Sequence, residues 1–230
     1  MNTKIYEDAG LLALQEGAMR PGGLALTKKA AAFLEKGARI LDVGCGVGES
    51  VALLNSMGFD AKGIDESETL IGKGKSLQRN VELGDAYALK GRYDALLYEC
   101  VMSLLNDKEA ALEQASGAIN EDGVIIVSDL YPRWGMDGEE GASVPCITCA
   151  NGVLPLEKWI VLMRACGFRL IHFEDETDLY KGFLATLIME YGSVDAFFAP
   201  FTGEALARQA TENTGRRKLG YFFSVWSKWK

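Results

Sequence analysis

The chain has 230 residues, a formal net charge of −8 and a pI near 4.9, so no nucleic acid is expected as a partner, because such a backbone selects clustered Lys and Arg. With 48% hydrophobic and 24% charged residues it has an ordinary globular balance and the length for one domain with a full core. No apolar run reaches the ~18 residues of a membrane span. No signal-peptide core follows Met1, so the five cysteines are expected to be reduced in the cytoplasm, with no membrane as partner.

From the N-terminus, Glu7 to Gly17 carries a short helical pattern and Arg20-Pro21-Gly22-Gly23 is a turn. Leu24 to Lys36 reads as a helix, with Leu26, Ala30, Phe33 and Leu34 on one side and Gly37 as its stop. These pieces form an N-terminal helical cap over about 5–37. Ile40-Leu41-Asp42-Val43 is an apolar strand that runs into the loop Gly44-Cys45-Gly46-Val47-Gly48. A helix over Glu49 to Met57 and a second strand, Phe59 to Ile64, closed by Asp65, complete a βαβ unit that binds a nucleoside-bearing cofactor. Glu66 to Asn80 reads as a helix weakened by Gly72 and Gly74, and Asn80 to Leu83 as a short third strand. Tyr93 to Tyr98 is almost wholly apolar, as a strand buried on both faces must be. Asn106 with Glu109 makes a capping box for a helix through Ile119, and Val124 to Ser128 is the fifth strand.

Residues 131–153, rich in Gly and Pro, read as a long loop at the C-terminal end of a central strand, where α/β ligand sites lie. Pro155 starts a helix that Gly167 ends, and Phe168 to Phe173 is strand six. A helical insertion over about 177–214 follows. Tyr180, Phe183, Leu184, Leu187, Ile188 and Tyr191 repeat there with the helical period, and a polar helix runs from about Gly203 to Asn213. Leu219 to Trp229 is the last strand.

The choice of cofactor is a question of charge. A dinucleotide site places a pyrophosphate on the helix N-terminus and wants Gly-x-Gly-x-x-Gly. Here the glycines are Gly44, Gly46 and Gly48, and Glu49 stands at the late glycine position. A carboxylate there repels a pyrophosphate but not a sulfonium or an ammonium. S-adenosylmethionine has both and no phosphate, so a nicotinamide oxidoreductase is disfavoured. Asp65 suits a ribose diol, and Asp85 could accept from an adenine amino group.

The chain resembles the class I S-adenosylmethionine-dependent methyltransferases in Leu41–Gly48, Gly63-Ile64-Asp65, Gly84-Asp85-Ala86, Tyr93–Leu97 and Gly123–Asp129, in family order and spacing over roughly residues 20–175. The resemblance implies a single domain over 1–230 with a Rossmann-like three-layer α/β sandwich. Its sheet has seven strands, mostly parallel, with the last antiparallel. S-adenosylmethionine is the implied cofactor and S-adenosylhomocysteine the product. The expected cofactor residues are Arg20, Gly22, Gly23, Asp42, Gly44, Cys45, Gly46, Gly48, Asp65, Glu66, Asp85, Ala86 and Glu99. The expected acceptor is a small molecule. The runner-up is an S-adenosylmethionine-binding protein that transfers no methyl group.

Methyl transfer from a sulfonium is an in-line displacement whose leaving group departs neutral, so alignment can supply most of the catalysis. His172 lies inside strand six and reads as structural, which nominates no histidine base. The catalytic candidates at strand ends are Glu99, Cys100, Asp129 and Tyr131. Cys146 and Cys149 form a Cys-x-x-Cys in the long loop, without the second pair that a structural zinc site wants, so no metal is expected. With Cys100 they could converge on a thiophilic centre. In this the chain is faintly similar to arsenite methyltransferases, from which it departs in length and in its C-terminal half. The loop and the insertion are expected to form a lid over the acceptor.

Overall fold

The computed structural model describes residues 5–7, 20–133 and 148–229. The helical pattern before Gly17, Trp134 and Cys146 therefore lie outside the described residues, apart from a 3-10 turn at Ile5–Glu7. The strands are β1 (Arg39–Val43), β2 (Asp60–Asp65), β3 (Val81–Leu83), β4 (Tyr93–Glu99), β5 (Ile119–Pro132), β6 (Phe168–Asp175) and β7 (Leu219–Lys228). The helices are α1 (Ala25–Ala31), α2 (Glu49–Ser56), α3 (Glu68–Ser76), α4 (Lys108–Ala118), α5 (Leu156–Ala165), α6 (Thr177–Tyr191), α7 (Val194–Thr202) and α8 (Glu204–Arg217).

The seven strands form one sheet in the order β3-β2-β1-β4-β5-β7-β6, with β7 antiparallel to both neighbours and the other pairs parallel. This is the sheet expected from the sequence, and alternation within each strand builds two cores. On one face Ile40, Ala95, Leu97, Ile126, Tyr221 and Phe223 pack with α1, α2 and the helices of the insertion. On the other Leu41, Leu96, Tyr98, Ile125, Val127 and Trp226 pack with α4 and α5. Strands buried on both faces read as continuous apolar runs for this reason.

Several boundaries move. α1 ends at Ala31, short of Lys36, and α3 covers Glu68–Ser76, with Ser67 accepting from Leu70 N as its cap. The cap of α4 is Asp107, whose side chain accepts from Ala110 N at 2.9 Å, so the helix opens one residue after the expected Asn106. β5 begins at Ile119, where the sequence suggested a helix end, because the chain pairs with Tyr93 before reaching Val124. The insertion after β6 holds three helices, and Pro200 sits inside α7.

Candidate functional site

A cavity of about 740 Å³ opens at the C-terminal ends of β1, β2 and β4, within the size range of small-molecule sites. At one end it is walled by the glycine loop and by Ile64, Asp65, Glu66, Asp85 and Ala86. At the other end lie Cys100, Cys149, Tyr180, Phe197 and Phe198, so α6 and α7 of the insertion reach the cavity.

The glycine loop is held by β2. Gly44 N and Cys45 N both donate to Ile64 O, at 2.8 and 2.9 Å. Asp65 accepts from Gly46 N and Ser67 N, each at 2.9 Å. Gly44 and Gly46 have φ of +73° and +56°, in the left-handed region that favours glycine. Their surroundings differ. A Cβ on Gly44 would stand 2.4 Å from a methyl of Val101, whereas a Cβ on Gly46 would meet nothing within 4 Å. Gly44 is thus required by protein packing, and Gly46 leaves space beside the cavity. Gly48 stands at the start of α2, and the thiol of Cys45 is tucked against Gly63. Burial, with Asp42 and Asp65 nearby, pushes that thiol well up, out of the range of a reactive cysteine.

Four side chains distant in sequence meet behind the loop. Arg20 pairs with Glu99 at 2.8 Å and also donates to Thr27 Oγ1 at 2.9 Å and Ser50 Oγ at 2.6 Å. Thr27 and Ser50 in turn donate to the Glu99 carboxylate at 3.0 and 2.6 Å. Burial works against the Arg20 charge, but Glu99 together with Tyr221, Asp42 and Cys100 outweighs it and raises its pKa. Arg20 Nε is buried without a hydrogen-bond partner. Asp42, at the end of β1, is 3% exposed. Burial and the neighbouring Glu99 push its carboxyl well above the usual range, against the pull of Arg20. Thr27 and Ser50 had no signal in the sequence, because each reads as an ordinary polar helix residue.

The charge argument from Glu49 does not carry over to the folded chain. Glu49 pairs with Arg79 at 2.7 Å, and Arg79 also donates to Val47 O at 2.9 Å. Its carboxylate is thus neutralised, and the residue is not part of the cavity wall. Gly22, Gly23 and Asp42 also do not line the cavity, whereas Arg20 and Pro21 do.

Among the catalytic candidates, Glu99, Cys100 and Cys149 line the cavity. Tyr131 does not; its hydroxyl donates to Asp175 at 2.9 Å. Asp129 stands behind Ser103, accepting from its N at 2.8 Å and its Oγ at 2.7 Å. Ser103 and Lys108 form the cavity wall there. His172 binds Glu174 at 2.6 Å and packs on Phe33.

Burial pushes the Asp129 carboxyl up to about 6, despite the bonds from Ser103 and Leu130 and the charge of Lys108. The unfolded value is about 3.9, so the folded state holds the proton more tightly. The stability this contributes is full below the unfolded value and is lost as pH rises through about 6. At about 1.4 kcal/mol per pKa unit, the loss is on the order of 3 kcal/mol. Asp129→Asn should remove this slope. In urea unfolding from about pH 4 to about pH 7.5, its stability should gain on the wild type as pH rises, and a constant difference would count against the assignment.

The family model described as "Methyltransferase domain" matches residues 16–180. Phosphoethanolamine N-methyltransferase 1 of Triticum aestivum is 25% identical over 252 residues, covering 96% of this chain and 49% of that protein. The chain thus spans about half the length of this curated relative. A solved structure of Haemonchus contortus phosphoethanolamine N-methyltransferase 2 with S-adenosyl-L-methionine superposes with a TM-score of 0.74 at 16% identity, over 100% of this chain and 58% of that one. The cyclase SpnF superposes with a TM-score of 0.69 at 21% identity, over 89% of this chain and 80% of that one. At these identities the structural likeness establishes the fold.

Proposed function

The chain belongs to the methyltransferase-domain family, and from that premise we propose that it is an S-adenosylmethionine-dependent methyltransferase acting on a small-molecule acceptor by in-line transfer. The observation that carries this reading is the single cavity that joins the glycine loop and Asp65 to Glu99 and to the walls of α6 and α7. The residues present fit the cofactor. Open space lies over Gly46, and a buried Arg20 Nε lacks a partner. The Arg20–Glu99 pair offers opposite charges side by side, which suits the zwitterionic amino-acid end of the cofactor. Arg20 takes the carboxylate and Glu99 the ammonium. Asp65 takes the ribose hydroxyls, and Glu66, Asp85 and Ala86 border the adenosine. Bound there, the cofactor supplies an electrophilic methyl group on a sulfonium.

The chain's own part in the reaction is to bind, align and exclude water. Tyr180, Phe197 and Phe198 of the insertion form an apolar wall at the acceptor end, and the insertion acts as a lid over it. The similarity to phosphoethanolamine N-methyltransferases makes an amine the first acceptor class to try. The described cysteines Cys45, Cys100, Cys149 and Cys166 are free thiols, which accords with a cytoplasmic protein.

Asp65 tests the cofactor half. Its replacement by Ala removes charged hydrogen bonds worth about 1.5–3 kcal/mol each, and also frees Gly46 N and Ser67 N. S-adenosylmethionine binding by calorimetry should weaken about ten- to a hundredfold. Unchanged affinity would remove Asp65 from the site. Turnover is tested by S-adenosylhomocysteine formation with amine, thiol and hydroxyl acceptors, phosphoethanolamine and arsenite included. Tight binding with no product from any acceptor would favour the second reading, cofactor binding without methyl transfer. That reading has SpnF, a cyclase with this fold, on its side.

A further inference from the structure

The acceptor end of the cavity holds two thiols that come from separate parts of the chain. Cys100 follows β4 and has φ of +59°, a left-handed conformation that is costly for a residue with a side chain. Its N donates to Ser128 O at 2.8 Å, which anchors the strained turn. Its Sγ lies 3.3 Å from the Tyr221 hydroxyl, and Tyr221 is bonded to Ser128 Oγ at 3.2 Å. Cys149 sits in a turn closed by Asn151 N to Thr148 O at 3.1 Å. That turn is pressed against the rest of the wall: a Cβ on Gly152 would come within 2.1 Å of Ser103 O. The docking sets the Cys149 thiol beside that of Cys100 on one wall of the cavity, against the same apolar core. Both thiols line the cavity, and both are free.

We propose that Cys100 and Cys149 are a modification site, a thiol pair that a two-electron oxidant of the hydroperoxide class closes into a disulfide tying the turn at 148–153 to the end of β4. The inference rests on the contact between the two thiols and stands apart from the assignment of methyl transfer. The order of events follows from the surroundings. The hydrogen bond to Cys149 and burial hold the Cys100 thiol well above its usual range, with Asp129 adding to this and Tyr221 opposing it. Cys100, fixed at the end of β4 against the Tyr221 hydroxyl, is the resolving thiol. Cys149, half-buried at the wall, attacks first. Its sulfur takes one oxygen of hydrogen peroxide, the O–O bond breaks, and one water leaves with a sulfenic acid formed on Cys149. The Cys100 sulfur then displaces the second water as the S–S bond forms. Each sulfur gives up one electron, the peroxide takes two, and both thiol protons leave in the two waters. Arg20, Tyr180 and Tyr221 are the other titratable groups that act on the pair: the Arg20 guanidinium interacts with Cys100, and burial keeps both phenols protonated.

The full chain is treated with hydrogen peroxide, its remaining thiols are alkylated after unfolding, and it is analysed by mass spectrometry without reductant. The expected product has lost the mass of two hydrogen atoms and links the tryptic peptides 93–108 and 134–158. The second peptide also contains Cys146, so two variants locate the bond. Cys146→Ser should still form it and Cys149→Ser should not. Cys100→Ser should stop at a sulfenic acid on Cys149 that dimedone traps. All five thiols still alkylated, with no link between the peptides, would overturn the proposal. So would a link that survives Cys149→Ser, or a Cys100→Ser protein in which Cys149 never reacts.

Discussion

Glu99→Ala should lower the stability of the protein by about 3–5 kcal/mol, measured by chemical denaturation at neutral pH. The side chains of Arg20 and Glu99 are 12% and 4% exposed, so truncating the acid leaves a guanidinium buried without its counter-charge. Thr27 and Ser50 would lose their acceptor in the same step, and leaving a buried donor unmade adds to the cost. Replacing both charges together, Arg20→Met with Glu99→Met, should cost less than Glu99→Ala alone, because most of the penalty is the orphaned partner rather than the pair itself. If the single variant loses under about 1 kcal/mol, the network behaves like an exposed ion pair and the account given for it fails. Glu99→Gln separates structure from binding. It keeps an acceptor for Thr27 and Ser50 and so should stay folded, while its affinity for S-adenosylmethionine drops.

Gly44→Val and Gly46→Val should fail in opposite ways. At Gly44 the added carbon meets Val101 at 2.4 Å on a backbone with φ of +73°. Overpacking of about 1–3 kcal/mol joins a left-handed penalty of about 1–2 kcal/mol. The protein should unfold at distinctly lower denaturant, with ligand binding lost as a consequence. At Gly46 the φ of +56° brings only the backbone penalty, because no atom lies within 4 Å of the new Cβ. That variant should keep its circular-dichroism spectrum and most of its stability, yet bind S-adenosylmethionine poorly, since the valine enters the space beside the cavity. Comparing melting temperature with calorimetric affinity for the two variants checks this. Equal destabilisation of both, or normal binding by a folded Gly46→Val protein, would show that the loop does not receive a ligand as described.

The residues that could be read from the sequence share one property: their neighbours along the chain define their role. The run Ile40–Val43, the left-handed glycines after it and Asp65 at the end of the next strand lie within one βαβ unit, and β2 closes that unit on itself through Gly44, Cys45 and Gly46. The mostly parallel sheet with its antiparallel last strand followed from the resemblance to the methyltransferases, whereas an apolar run such as Tyr93–Tyr98 marks by itself only a strand covered on both faces, and the strand order came from the fold. Tertiary structure decided everything that depends on which polar group meets which. Arg20, Thr27, Ser50 and Glu99 come from four segments, and only the stacking of α1 and α2 over the end of β4 joins them. Glu49 looked like a charge aimed at a ligand until Arg79, from the segment before β3, cancelled it. Asp129 ended the right strand but lies behind Ser103, while Cys100 and Cys149 meet because Gly152 lets a distant turn approach the backbone at Ser103. Hydrophobic periodicity states which face of an element is buried; it carries no record of the partner across a gap in sequence. Polar pairing, cavity shape and the ionisation of a buried acid are settled only when the layers pack.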